Sequence, residues 1–109
     1  MAFEQRRGRD RLSIIAEILE IAKEGTVKTQ IMGRANLSFT NVNDYLNFLL
    51  GRRMLEKVSK KEKEIYTTTS TGIEFLQVYH ELRDIMKKEE QHERVENQRK
   101  TRLTKSRVE

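Results

Sequence analysis

The 109-residue chain has no cysteine, no proline and no tryptophan, and only five glycines. Lack of cysteine excludes disulfide frameworks, thiol nucleophiles and all-cysteine zinc sites. Lack of proline leaves nothing to interrupt long helices. The glycines at positions 8, 25, 33, 51 and 72 are too scattered to build a phosphate loop or a dinucleotide fingerprint, and no HExxH pattern occurs. No apolar run approaches the roughly 20 residues of a membrane span, and the charged start MAFEQRRGRDR does not continue into a signal-peptide core. A soluble, cytoplasmic chain without membrane contact is expected.

Catalysis finds no support either. His80 and His92 both fall on the last expected helix, with no cysteine to complete a metal set. The hydroxyls of Thr67–Thr71 have no base beside them, and a strand end followed by a helix cap accounts for them. We expect no enzyme, no cofactor and no metal.

What the chain does have is charge, with 22 Lys and Arg against 17 Asp and Glu for a net +5. Its distribution alternates: +2 over residues 1–11, −2 over 12–25, +4 over 26–71, −3 over 72–93 and +4 over 94–109. Basic blocks between acidic helical ones point to a side that faces a polyanion. Ordinary solvated charge is the alternative.

Leu12, Ile15, Ile18, Leu19 and Ala22 recur at helical spacing and predict a first amphipathic helix, with Asp10 as N-cap and Gly25 as left-handed C-cap. Thr26 can cap a second helix over residues 27–35, burying Val27, Ile31 and Ala35 and stopping at Asn36. Ser38 can cap a third, whose face is Val42, Tyr45, Leu46, Leu49 and Leu50 and which Gly51 or Arg52 closes. Two short helices joined so tightly are a helix-turn-helix signal. After Met54 the period changes to two, and the polar KKEK turn at residues 60–63 separates two strands of a hairpin. Thr69 can cap a last helix carrying Ile73, Phe75, Leu76, Tyr79, Leu82, Ile85 and Met86, more apolar surface than so small a core needs. Beyond Met86 only Val95 is apolar before Leu103, so a solvated helix with pairs such as Glu90–Arg94 and Glu96–Lys100 is expected, then disorder from about Gln98.

The run KTQIMGRANLSF at residues 28–39 is followed by Tyr45–Leu46, Leu49–Leu50, Met54–Leu55, and then Tyr66, Thr69, Gly72, Phe75 and Leu76. Over roughly residues 10–86 this resembles the small archaeal winged-helix DNA-binding proteins, the ten-kilodalton chromatin-associated type and related one-domain predicted regulators. The resemblance implies a mainly α fold with a small β-hairpin, a winged helix-turn-helix whose long C-terminal helix forms an antiparallel coiled-coil dimer. The organisation then reads as a basic N-terminal arm over 1–9, a winged helix-turn-helix domain over 10–72, a dimerisation helix over 73–97 and a basic, disordered tail over 98–109. The seam residues are Phe75, Tyr79, Leu82, Ile85 and Met86. Its polar continuation and the basic tail depart from the family pattern.

In a helix-turn-helix the third helix enters the major groove. Its outward residues here are Thr40, Asn41, Asn43, Asp44 and Asn47, and an Asn amide can bond bidentately to adenine. Lys28, Arg34, Arg52 and Arg53 flank it for phosphate contacts, with Ser38 at its N-terminus. Lys60, Lys61 and Lys63 stand at the hairpin tip, and Arg6, Arg7 and Arg9 in an arm of the kind that enters minor grooves. The same asparagines fit a merely solvated helix face, and the same lysines fit solubility. The leading expectation is a nucleoid-associated homodimer on double-stranded DNA that acts as a transcriptional regulator. A nonspecific chromatin protein is one alternative. A protein-interaction adaptor presenting Glu89–Glu93 to a basic partner is another. The absence of an aromatic row argues against single-stranded nucleic acid.

Overall fold

A computed structural model describes the backbone of residues 9–103 and the side chains of residues 9–88. The element order is α1 (Arg11–Ile21), α2 (Lys28–Ala35), α3 (Phe39–Gly51), β1 (Leu55–Lys60), β2 (Lys63–Thr68) and α4 (Ser70–Leu103). The chain divides into two units, Met1–Gln77 and Val78–Glu109. The first holds the core. The second takes in α4 from Val78 onward.

The core is built where the helical period places it. Ile18, Leu19, Ala22, Ile31, Ala35, Val42 and Leu49 are completely buried, and Leu46, Leu55, Tyr66 and Leu76 nearly so. Each fully buried Leu or Ile contributes about 1.5–3 kcal/mol relative to exposure. The buried face of α1 is broader than its spacing predicts, because Ile14 and Ala16 join it. Leu12 departs from expectation and is 49% exposed. It lies in the first turn of α1, about two turns before the fully buried Leu19.

The helix termini show which local signals govern. The Asp10 side chain accepts from the Ser13 amide at 2.8 Å, and the Ser38 hydroxyl from the Asn41 amide at 3.1 Å, as their cap positions require. Asn36 ends α2 in the left-handed region with φ 56° and ψ 53°. Two expected caps are used differently. Gly25 is left-handed (φ 92°), yet the C-cap of α1 is Ala22. Two carbonyls at that end take partners from across the fold: the Thr68 hydroxyl donates to Leu19 O at 2.6 Å, and the Thr68 amide to Ala22 O at 3.0 Å, an oxygen that also accepts from the Gly25 amide at 3.0 Å. Thr26 does not cap α2, whose N-cap is Val27 without a side-chain bond. It exchanges backbone bonds with Tyr66 at 3.0 and 2.7 Å, adding a one-residue third strand to the hairpin.

The hairpin is antiparallel, with Leu55 opposite Thr68, Lys57 opposite Tyr66 and Lys60 opposite Lys63. Lys61 and Glu62 at its turn both have positive φ, 48° and 65°, as a type I′ turn demands. Burial and the neighbouring Glu64 carboxylate hold the Tyr66 phenol above its ordinary value. At the start of α4 the Thr69 hydroxyl donates to Arg53 O at 2.6 Å and accepts from the Gly72 amide at 3.2 Å. A Cβ on Gly72 would lie 2.5 Å from both Met54 O and the Thr68 methyl, so only glycine permits this close approach.

Beyond Gln77, α4 remains helical to Leu103, past the Gln98 at which helical order was expected to end. The pairs Glu90–Arg94 and Glu96–Lys100 fall on side chains outside those described. Among the described residues no helix is long and apolar enough to cross a membrane.

The crowding at Gly72 gives a direct test. Gly72→Ala should destabilise the domain by about 1–3 kcal/mol, read as a lower urea midpoint at unchanged slope.

Candidate nucleic-acid interface

The proposed reading helix presents what its spacing predicts at most positions. Thr40, Asn41, Asp44 and Asn47 are exposed on α3. Asn43 is half-buried, and its amide oxygen accepts from Lys28 Nζ at 2.7 Å. The Lys28 ammonium also stands 5.4 Å from the centre of the Phe39 ring. One lysine thus ties the first turn of α2 to the first turn of α3, through a hydrogen bond and a cation–π contact. Asn43 is thereby engaged within the protein, whereas Asn41 and Asn47 have exposed side chains.

The flanking cations are arranged along the same surface elements. Arg34 is exposed in the last turn of α2. Arg52, at the C-terminal end of α3, stacks its guanidinium 4.8 Å over the Phe48 ring. Arg53 is exposed in a left-handed conformation (φ 62°), and its carbonyl is held by Thr69. Ser38 uses its hydroxyl as an acceptor for the Asn41 amide. In the wing, Lys60, Lys61 and Lys63 are all exposed, and Lys57 lies 3.8 Å from Glu64.

Arg9 does not behave as part of a free arm. Its guanidinium donates to Ala35 O at 2.7 Å and to Glu17 Oε1 at 3.1 Å. It therefore closes the C-terminal end of α2 against α1. Position in sequence placed it with Arg6 and Arg7, which lie outside the described residues. An orphan helix-terminal carbonyl beside a carboxylate is a better site for a guanidinium than solvent.

Phe39 escaped the sequence reading as a surface residue. It is 63% exposed, although it precedes Val42 and Leu46 by helical steps that periodicity would assign to the core. Arg11 was likewise missed as a partner for Tyr45, over whose ring it sits at 5.6 Å.

On α4 the apolar stripe is exposed at Leu82, Ile85 and Met86, and also at Val78, which the expected seam omitted. Phe75 and Tyr79 are half-buried. Tyr79 meets His80 edge-on at 6.0 Å and carries Arg83 at 6.0 Å from its ring centre. Among the described residues no His, Asp and Glu group could hold a metal ion.

Residues 8–87 match the family model for the winged helix-turn-helix, and the chain belongs to that family. An uncharacterised protein of Methanocaldococcus jannaschii is 37% identical over 83 residues, 75% of this chain and 81% of the relative. Among solved structures the fold is similar to Sso10a-2, a DNA-binding protein from Sulfolobus solfataricus, at TM-score 0.74 and 18% identity, covering 83% of this chain and 95% of that one. It is also similar to MepR, a transcription regulator of the Staphylococcus aureus multidrug efflux pump MepA, at TM-score 0.66 and 14% identity, covering 85% and 72%. The MepR–DNA complex aligns at TM-score 0.62 and 15% identity, covering 93% and 85%.

The contacts of Arg9 yield a prediction. Arg9→Ala should lower folding stability by about 1 kcal/mol, given a partly exposed ion pair and one charge-assisted bond to a carbonyl. Urea unfolding of the variant checks it. A loss of nucleic-acid affinity with stability unchanged would contradict it.

Proposed function

We propose that this chain binds double-stranded DNA as a homodimer, with α3 in the major groove and the wing on phosphates, and that it serves as a transcriptional regulator. The observation that carries the reading is the wing tip. Lys60 stands directly across from Lys63, with Lys61 and Glu62 in the turn between them, so the tip carries three lysines against one carboxylate. Like charges opposed on one ladder destabilise a hairpin, and a polyanion relieves that repulsion. Exposed Arg34, Arg52 and Arg53 extend the positive surface to both ends of α3. The likeness to a DNA-binding protein of Sulfolobus and to a regulator solved on DNA supports the same reading.

In this scheme Asn41 and Asn47 address base edges, Thr40 and Ser38 assist at the helix N-terminus, and Lys28 serves phosphate with the donor capacity that Asn43 leaves it. The exposed polar amides and the carboxylate of Asp44 favour a regulator over a chromatin protein that binds every sequence alike, because Asp accepts only from cytosine and repels phosphate.

The dimer rests on α4. Val78, Leu82 and Ile85 follow helical steps of four and three, and each is about half exposed or more. That is the a/d pattern of a coiled-coil seam, with Met86 beside it. Pairing two such helices fixes the separation of two reading helices.

Fluorescence anisotropy on a random-sequence duplex and on a duplex enriched by selection tests the binding. With six to ten cations on phosphates, affinity should fall about 10³–10⁵-fold between 50 and 200 mM salt, and Arg34→Glu should flatten that slope. Preference for the selected duplex marks a regulator, equal binding a nucleoid protein, and no binding an adaptor. For the dimer, Leu82→Asp should halve the mass found by sedimentation equilibrium, and an unchanged mass refutes the seam.

A further inference from the structure

Phe39 is the first residue of α3 and is the most exposed large apolar side chain of the described residues, at 63%. Leaving a ring in water at the start of a reading helix has no stabilising role. The ring is nevertheless held, because the Lys28 ammonium lies 5.4 Å from its centre and is itself fixed by a 2.7 Å bond to Asn43. A positioned aromatic in the same first turn as the exposed Thr40 and Asn41 is one apolar group at an otherwise polar helix N-terminus.

The major groove offers one apolar feature, the C5-methyl of thymine. Wedges that unstack base steps enter from the minor groove instead, and the N-terminal residues of a reading helix meet base edges in the major groove. We propose that Phe39 is a specificity-determining residue that contacts a thymine C5-methyl, its ring oriented by Lys28 and Asn43. The inference rests on the duplex-binding reading above and names what that surface discriminates. Asn41, two residues on, lies about 200° round the helix axis from Phe39, so the inference concerns the thymine methyl alone.

Two mixed-sequence duplexes test it, one containing thymidine and the other deoxyuridine in place of every thymidine. They differ only in the methyl group. Burying one methyl corresponds to about a fourfold change in affinity, so the native protein should bind the deoxyuridine duplex about fourfold more weakly per contacted methyl. Phe39→Ala should bind both equally, at the level of the native protein on deoxyuridine. Phe39→Leu, which keeps an apolar side chain, should retain part of the preference. Because the ring is largely exposed and loses only its cation–π contact with Lys28, both variants should keep the native circular dichroism and a cooperative melt slightly below the native one. Equal binding of the two duplexes by the native protein overturns the inference while leaving duplex binding intact. A preference that survives in Phe39→Ala overturns it as well, since the methyl is then read elsewhere. Failure to bind either duplex overturns the DNA reading itself, and the inference with it.

Discussion

The contact on which the winged unit depends is the buried hydrogen bond from the Thr68 hydroxyl to the Leu19 carbonyl, 2.6 Å long. The last carbonyls of a helix have no partner within it, and a buried unpaired carbonyl costs about 1–3 kcal/mol. Thr68 removes that cost for α1 with its side chain and its amide together. The next residue, Thr69, fixes the Arg53 carbonyl and caps α4 with the same hydroxyl. Gly72 then lets the first turn of α4 come against Met54. Three consecutive joints therefore attach the hairpin to α1, to the end of α3 and to α4, and the orientation of the wing follows from them.

A second constraint acts at the other end of α3. The cations there are not equivalent. Lys28 is committed to Asn43 and the Phe39 ring, and Arg9 to Ala35 and Glu17. Both organise the surface from within the domain. Arg34, Arg53 and the wing lysines remain directed at solvent, where their charge is open to a polyanion. This division between positioning cations and exposed ones gives the surface around α3 a rigid centre and a positive margin. On the DNA-binding function proposed above, rigid placement of groups that meet base edges would favour discrimination, and the outer charges would supply sequence-independent attraction.

The elements were legible because their signals are local. Asp10, Ser38 and Thr69 cap the helices that follow them, Asn36 takes the left-handed conformation, and the change of period after Met54 marks the hairpin. Thr26 and Gly25 were misassigned for one reason. Each has a good local role, but Thr26 gains two backbone bonds by pairing with Tyr66, and α1 is completed by Thr68 from far along the chain. Leu12 and Phe39 show the limit of periodicity. A helical repeat gives the direction of a side chain, not whether another element extends far enough to cover it.

From the sequence alone follow the helix-turn-helix, the basic hairpin tip, the polar face of α3 and the apolar stripe of α4, because capping, periodicity and charge act over a few residues. Only the tertiary structure decides that Arg9 belongs to the fold, that Asn43 is bound by Lys28, that Phe39 stays in solvent and that Lys60 faces Lys63 across the ladder. Those outcomes depend on which distant groups meet, and a long-range hydrogen bond or an uncovered helix end leaves no trace in local spacing.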